Sequence, residues 1–339
     1  MNTVYLIGNG FDINLGLRTR YSDFYDYYLT KPTKSKVLEK FKEHLSVEIV
    51  SSDKWSDLEL SLGEYLQQVS SVDEFDELID NILDELAEYL KNVQLEFKST
   101  QEQNLNNLRA NLLKHLFMPE SFIDSRDRTK LFDFYQKFSS GANFFSLINF
   151  NYTSSFETIL GLDDESNEHR GIFQKLVIRG KEHVLESMFH VHGSVNTDMV
   201  LGVNDSTQIH NENFQKDADI TNQIIKPECN LVLRHGVELA CEKLIEEADV
   251  ICIFGSSLGE TDEVWWELIA NHLREKDIRL VIFEYNPAIR KLNATRGERR
   301  RNKLIKRINN KKIIVFCASA FSKNVLTLLN YHDLDVDLI

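Results

Sequence analysis

Cysteine is scarce, and its placement is uninformative for bridges or metals. Cys229, Cys241, Cys252 and Cys317 are the only four in 339 residues, and none forms a CxxC pair. That excludes a zinc ribbon and a disulfide framework. Four prolines leave few sharp breaks in the chain. Positive charge is in deficit: 39 Lys and Arg stand against 53 Asp and Glu, for a net charge of −14. Such a chain is poorly suited to broad binding of nucleic acid or anionic lipid. No apolar run reaches the roughly 18 residues of a membrane helix, and a strand beginning at residue 3 leaves no room for a signal peptide. The GxGxxG dinucleotide fingerprint is also missing, because the glycine after Gly8 and Gly10 is Gly16. What remains, 42% hydrophobic and 27% charged residues, is ordinary for a globular protein. A cytoplasmic, metal-free protein of one large or two modest domains is expected.

Apolar, β-rich runs occur at 3–7, 144–150, 187–191, 249–254, 279–285 and 312–317. Most are continuous and not alternating, as strands buried on both faces of a parallel sheet are. Helical patterns lie between several of them, at 237–247, 263–274 and 301–309. Alternating strands and helices indicate a doubly wound α/β sheet. Residues 39–138 depart from this and show only helical periodicity. Val72, Phe75, Leu78, Ile79, Ile82, Leu83 and Leu86 recur at helical spacing, as do Leu105, Leu108, Leu112, His115 and Leu116. The reading is an α/β domain formed by 1–38 and 141–339, with a helical insertion, 39–140, after its first βα unit.

In open α/β sheets, ligands bind beyond the carboxyl ends of the strands. Those ends carry Gly8-Asn9-Gly10-Phe11-Asp12, Asn149-Phe150-Asn151-Tyr152-Thr153, His190-Val191-His192-Gly193-Ser194, the stretch from Gly255 to Asp262 with Ser256 and Ser257, and Glu284-Tyr285-Asn286. Taken singly, each is equally a turn, a cap or a structural histidine. Together they place polar and glycine residues at one end of five successive strands. Glycine loops favour phosphates, and a carboxylate such as Glu284 can accept from ribose hydroxyls. Asparagine can position a water, and histidine can act as general base near neutrality. No activated serine or cysteine and no metal-ligand spacing accompanies them.

The stretches LIGNGFDINLGLRTRYSDF (6–24), WSDLELSLGEYL (55–66), FNYT (150–153), HVHGS (190–194) and GSSLGETD (255–262) resemble the AbiH family of bacterial abortive-infection proteins. The resemblance implies a role in defence against bacteriophage. A more distant likeness to sirtuin-like proteins lies in the ordered glycine loop, asparagine segment, His-Gly-Ser segment and Gly-Ser-Ser-Leu loop. It implies a Rossmann-like fold, with Asn151 orienting an attacking water and His192 as the catalytic histidine. Ser256 and Ser257 would hold phosphate or ribose, with Asp12, Glu284 and Asn286 nearby. Thr153 stands where the sirtuin-like segment has aspartate, Asn149 where it has threonine, and the zinc-binding cysteine pairs are absent. Protein deacylation is therefore not the expectation; hydrolysis of NAD, as sirtuin-like defence domains perform, is. Glu59 joins the candidate residues because it lies within the 55–66 stretch.

The expected partners are NAD or a related nucleotide as substrate and a phage-derived trigger; a second copy of the chain is compatible with the sequence. Residues 290–312 hold eleven basic residues and one acidic residue. That tract is read as a solvated face paired with acidic helices, or alternatively as a nucleic-acid patch. A nuclease or DNA-binding effector and a non-catalytic nucleotide-sensing module are the alternatives. Of the pair Trp265-Trp266, one ring is expected in the core and the other along a cleft.

Overall fold

The computed structural model describes residues 1–51, 58–123, 125–138, 140–233, 236–285, 313–318 and 336–337. Its strands are β1 (Asn2–Ile7), β2 (Asn143–Asn149), β3 (Glu168–Ile178), β4 (Lys181–His190), β5 (Val250–Phe254), β6 (Arg279–Tyr285), β7 (Ile313–Ala318) and β8 (Val336–Asp337). They form one sheet in the order β7-β6-β5-β1-β2-β4-β3-β8. The six strands from β7 to β4 run parallel, and β3 is antiparallel to both β4 and β8. The helices are α1 (Gly10–Leu15), α2 (Tyr21–Thr30), α3 (Lys36–Ser51), α4 (Leu58–Tyr65), α5 (Val72–Gln101), α6 (Leu105–Phe117) and α7 (Ser125–Tyr135). Beyond β2 follow α8 (Ser155–Leu160), α9 (Ala218–Ile224), α10 (Lys226–Leu233), α11 (Val237–Glu247) and α12 (Glu263–Glu275).

The continuous apolar runs arise because the central strands are covered on both faces. In β1, Tyr5 and Ile7 join a core under the helices that follow β1, while Val4 and Leu6 join a second core under α11 and α12. Successive side chains of a strand point to opposite faces, so both sets must be apolar. Between β1 and β2 the described residues are helical, as the periodicity requires. Ser71 caps α5 by accepting from the Glu74 N–H, and Phe75, Leu78, Ile79, Ile82 and Leu86 form its buried stripe. Each such side chain contributes about 1.5–3 kcal/mol on leaving water.

One expectation is corrected, and one strand is added to those expected. The run at 187–191 is the end of a ten-residue strand, Lys181–His190. Its hairpin partner β3 shows no apolar run in the sequence, because most of its residues are polar or exposed and only Val177 and Ile178 pair on its far side, with β8. Arg179 and Gly180, at φ 53° and 76°, form the turn between the two strands, and a two-residue turn of this hand needs positive φ at both positions. The 301–309 pattern, Asn286, the basic tract up to residue 312, Trp55 and Ser56 lie outside the described residues. No helix among the described residues is long and apolar enough to cross a membrane.

The strand order reverses at β1, whose neighbours are β5 and β2. There the β1 and β5 loops touch backbone to backbone. The Gly8 N–H donates to Phe254 O at 2.9 Å and the Gly10 N–H to Gly255 O at 2.8 Å. A Cβ on Gly10 would sit 2.5 Å from Gly255 Cα, and one on Gly255 would sit 2.7 Å from Phe11 N. The glycines are thus required by loop-on-loop contact. Gly10→Ala is expected to destabilise the fold by about 3 kcal/mol through forced backbone movement. Gly16, at φ 90° with nothing within 4 Å of a built Cβ, should lose only the 1–2 kcal/mol, roughly, of a left-handed alanine. Urea unfolding of both variants checks this, and equal losses would contradict the contact.

Candidate functional site

The strand ends are level. Phe254, Ile7, Asn149 and His190 are lateral partners across β5, β1, β2 and β4, and Phe254 also pairs with Phe283 of β6. The loops singled out in the sequence therefore leave one edge of the sheet at one height. Glu284 lies at this edge by its backbone, next to the end of β6.

A buried chain of polar groups crosses this edge. His192 Nε2 lies 2.8 Å from Asp262 Oδ1, and Lys226 Nζ lies 2.9 Å from the same oxygen. Lys226 Nζ also donates to Glu59 Oε2 at 2.8 Å. The Tyr152 hydroxyl is 3.2 Å from Glu59 Oε1 and 2.9 Å from Val200 O, sharing one proton between them. Glu59 comes from α4, Lys226 opens α10, Asp262 precedes α12, and Tyr152 and His192 follow β2 and β4. Lys226 and Glu59 are buried, whereas a fifth of the Asp262 side chain is open to solvent. Burial disfavours the Lys226 charge, but Asp262 and Glu59 hold its ammonium above the usual range. Burial would likewise neutralise Asp262, yet Lys226 and His192 keep its carboxyl well below the usual range. The Tyr152 phenol, buried beside Glu59, is pushed up.

The His192 ring meets Phe150 edge-on at 5.4 Å, and Phe150 stacks on Trp266 at 5.9 Å. Trp265 is buried in the core, and Trp266 donates its Nε1–H to Gly259 O at 2.9 Å while lining a cavity with Glu263 and Glu267. His192 Nδ1 is buried without a hydrogen-bond partner. A neutral imidazole whose Nε2–H donates to Asp262 presents Nδ1 as a base.

Asn151 is anchored three times. Its N–H donates to Asn149 Oδ1 at 3.1 Å, its Nδ2 donates to Gly8 O at 3.3 Å, and its carbonyl faces His190 Nδ1 at 2.8 Å. Asp12 accepts from the hydroxyls of Thr153 and of Ser155, the latter at 2.6 Å. Burial nonetheless pushes the Asp12 carboxyl up to about 6. A cavity beside Asn151 is lined by Asn9, Asp12 and Thr153, with Arg20 and Tyr89 opposite. His192 is not among its lining residues. Asn149 Nδ2, Ser154 Oγ and Glu157 Oε2, all buried, have no partner.

Other candidates are engaged locally. Phe11 stacks on Phe156 at 4.0 Å, and the Asn9 side chain bonds Thr19. Gly193, at φ 69°, closes a turn in which the Ser194 N–H donates to Thr197 Oγ1 at 2.9 Å. Ser256 Oγ accepts from the Leu258 N–H at 3.0 Å, and Ser257 is exposed. Cys229, Cys241 and Cys252 are free and buried, and burial pushes the Cys229 thiol up to about 12. Sequence reasoning missed Lys226, although a lone lysine after Ile224-Ile225 was a visible anomaly. It also passed over His190 and Glu157.

Removing Lys226 leaves Glu59 and Asp262 as uncompensated carboxylates. Lys226→Met should cost about 3–5 kcal/mol, and Glu59→Gln combined with it should cost less than the sum of the two. A denaturation cycle measures this, and additive losses would mean that the groups do not interact. Asp12, with its folded pKa raised from 3.8 to about 6, contributes stability that is complete below the lower value and lost as pH rises through the upper. The wild-type stability relative to Asp12→Asn should therefore fall by about 2 kcal/mol between pH 4 and pH 7. Urea midpoints across that range test it, and a flat difference would contradict a raised pKa.

Comparison with curated proteins gave no match. The family model described as bacteriophage abortive infection AbiH matches residues 4–284, a span that includes the buried polar chain from Glu59 to Asp262 and the Asn151 turn. With well over half of its length matched, the chain belongs to the bacteriophage abortive infection AbiH family.

Proposed function

We propose that the protein is a phage-defence effector of the cytoplasm that binds NAD or a related nucleotide at the carboxyl edge of its sheet. There it hydrolyses the bond between nicotinamide and ribose. The observation that carries this reading is the His192–Asp262 pair, with Nε2 fixed at 2.8 Å and Nδ1 left unpartnered. Asp262 orients the ring, and Nδ1 is the atom to take a proton from water. Asn151, its Nδ2 held by Gly8 O, takes the water-orienting role that the sirtuin-like resemblance implies. The water oxygen bonds to the ribosyl carbon, the carbon–nitrogen bond breaks, and nicotinamide leaves.

The fold reading behind this is Rossmann-like. Numbered by their order in the chain, the six parallel strands run 3-2-1-4-5-6 from β4 to β7, the order of doubly wound dinucleotide-binding sheets. The likeness to sirtuin-like proteins supports NAD as the nucleotide. The replacement of the sirtuin-like aspartate by Thr153 is met by Asp12, which accepts the Thr153 hydroxyl and restores a carboxylate beside the segment.

Nicotinamide release from NAD by the purified protein, beside Asn151→Ala and His192→Ala, tests the proposal. Release by the wild type is expected, with losses of about 100-fold or more in folded variants. No release from folded wild type, even with phage-infected lysate added, would overturn hydrolysis. NAD binding by calorimetry would then point to a non-catalytic sensing module.

A further inference from the structure

We infer that His190 is a positioning residue that holds the Asn151 turn in its working geometry by donating Nδ1–H to the Asn151 carbonyl, with Glu157 as its anchor. The inference rests on the proposed role of Asn151, but the contact itself does not.

His190 is the last residue of β4 and Glu157 lies on α8, and both are about 1% exposed. The imidazole is spanned at both ends, Nδ1 to Asn151 O at 2.8 Å and Nε2 to Glu157 Oε1 at 2.6 Å. A carbonyl only accepts, so Nδ1 must carry a proton. The Nε2 contact to a carboxylate then favours imidazolium, with both N–H groups donating. The charged groups facing the ring are Glu157 and Asp12, and His169 lies beyond, with Nε2 3.6 Å from Glu157 Oε1. Burial opposes the His190 charge, but Glu157 and the Asn151 carbonyl outweigh it and raise the pKa. Burial would raise Glu157 too, yet His190 and His169 draw its carboxyl down to about 2. Both shifts agree on a buried ion pair.

The placement gives that pair a task. Asn149 and His190 are lateral partners across β2 and β4, so the ring stands beside the turn that Asn149 starts. The Asn151 N–H is held from β2, its side-chain amide from the β1 loop, and its carbonyl from β4. Without the third anchor the peptide after Asn151 can rotate, taking the side chain out of line with a water. A displacement of an ångström at such a group costs about 100-fold in rate.

Two substitutions separate this role from simple support of Glu157. An asparagine amide reaches about where imidazole Nδ1 sits, and a glutamine amide about where Nε2 sits. His190→Asn thus keeps a donor for Asn151 and abandons Glu157, whereas His190→Gln does the reverse. With NAD as substrate, kcat should fall about 100-fold in His190→Gln at nearly unchanged KM, and less than about 3-fold in His190→Asn. Amide hydrogen exchange over residues 151–153 should quicken roughly ten-fold in His190→Gln alone. Impairment of His190→Asn instead, or equal behaviour of the two variants, would overturn the inference. If the wild type releases no nicotinamide, the proposed function fails while exchange still decides the contact: no difference between the variants would overturn it.

Discussion

Lys226 carries a charge that the interior would reject were Glu59 and Asp262 not within 2.9 Å of its nitrogen. Desolvating one ion costs several kcal/mol, and only close opposite charge with satisfied hydrogen bonds repays it. Those conditions bind distant parts of the chain to each other. Glu59 arrives from the helices between β1 and β2, Lys226 from the start of α10, and Asp262 from the loop after β5. Each must be in place for the other two to be tolerated. The loops of the carboxyl edge are thereby referenced to the helical segment through charge, not through apolar packing alone.

A second constraint acts at the strand-order reversal. Where a doubly wound sheet ordinarily leaves a crevice, the β1 and β5 loops approach until only glycine fits at 8, 10 and 255. The contact also fixes Gly8 O, which accepts from Asn151 Nδ2. The glycines act on the asparagine through backbone, and the lysine acts on the histidine through Asp262. Asn151 and His192 therefore owe their positions to residues whose own chemistry takes no part in the proposed reaction.

Much of this was legible in the sequence, for identifiable reasons. Strands covered on both faces cannot hide, because every residue of Val4–Ile7 must be apolar. The amphipathic α5 announces itself through about four turns of regular spacing between Val72 and Leu86. Tyr152, His192 and Asp262 were legible as loop residues at strand ends, and Glu59 through the family's motif. Lys226 was not, because a buried lysine is recognised only by its partners, here 167 and 36 residues away in sequence. The strand β3 was not, because its exposed positions and polar content erase the pattern that betrays a buried strand. Gly8 and Gly10 were visible, but the reason for them was not. Their demand for small size comes from Gly255, in the loop after β5, which the chain reaches only much later.

The charge arithmetic of the site gives its parts a common direction. Glu59, Asp262 and Lys226 together leave one surplus negative charge, and Asp262 passes it to His192 through a 2.8 Å contact. Asp262 is also the member most open to solvent. His192 Nε2 is thus held against the one carboxylate of the cluster that keeps contact with solvent, and its orientation is set by Glu59 and Lys226 acting through Asp262.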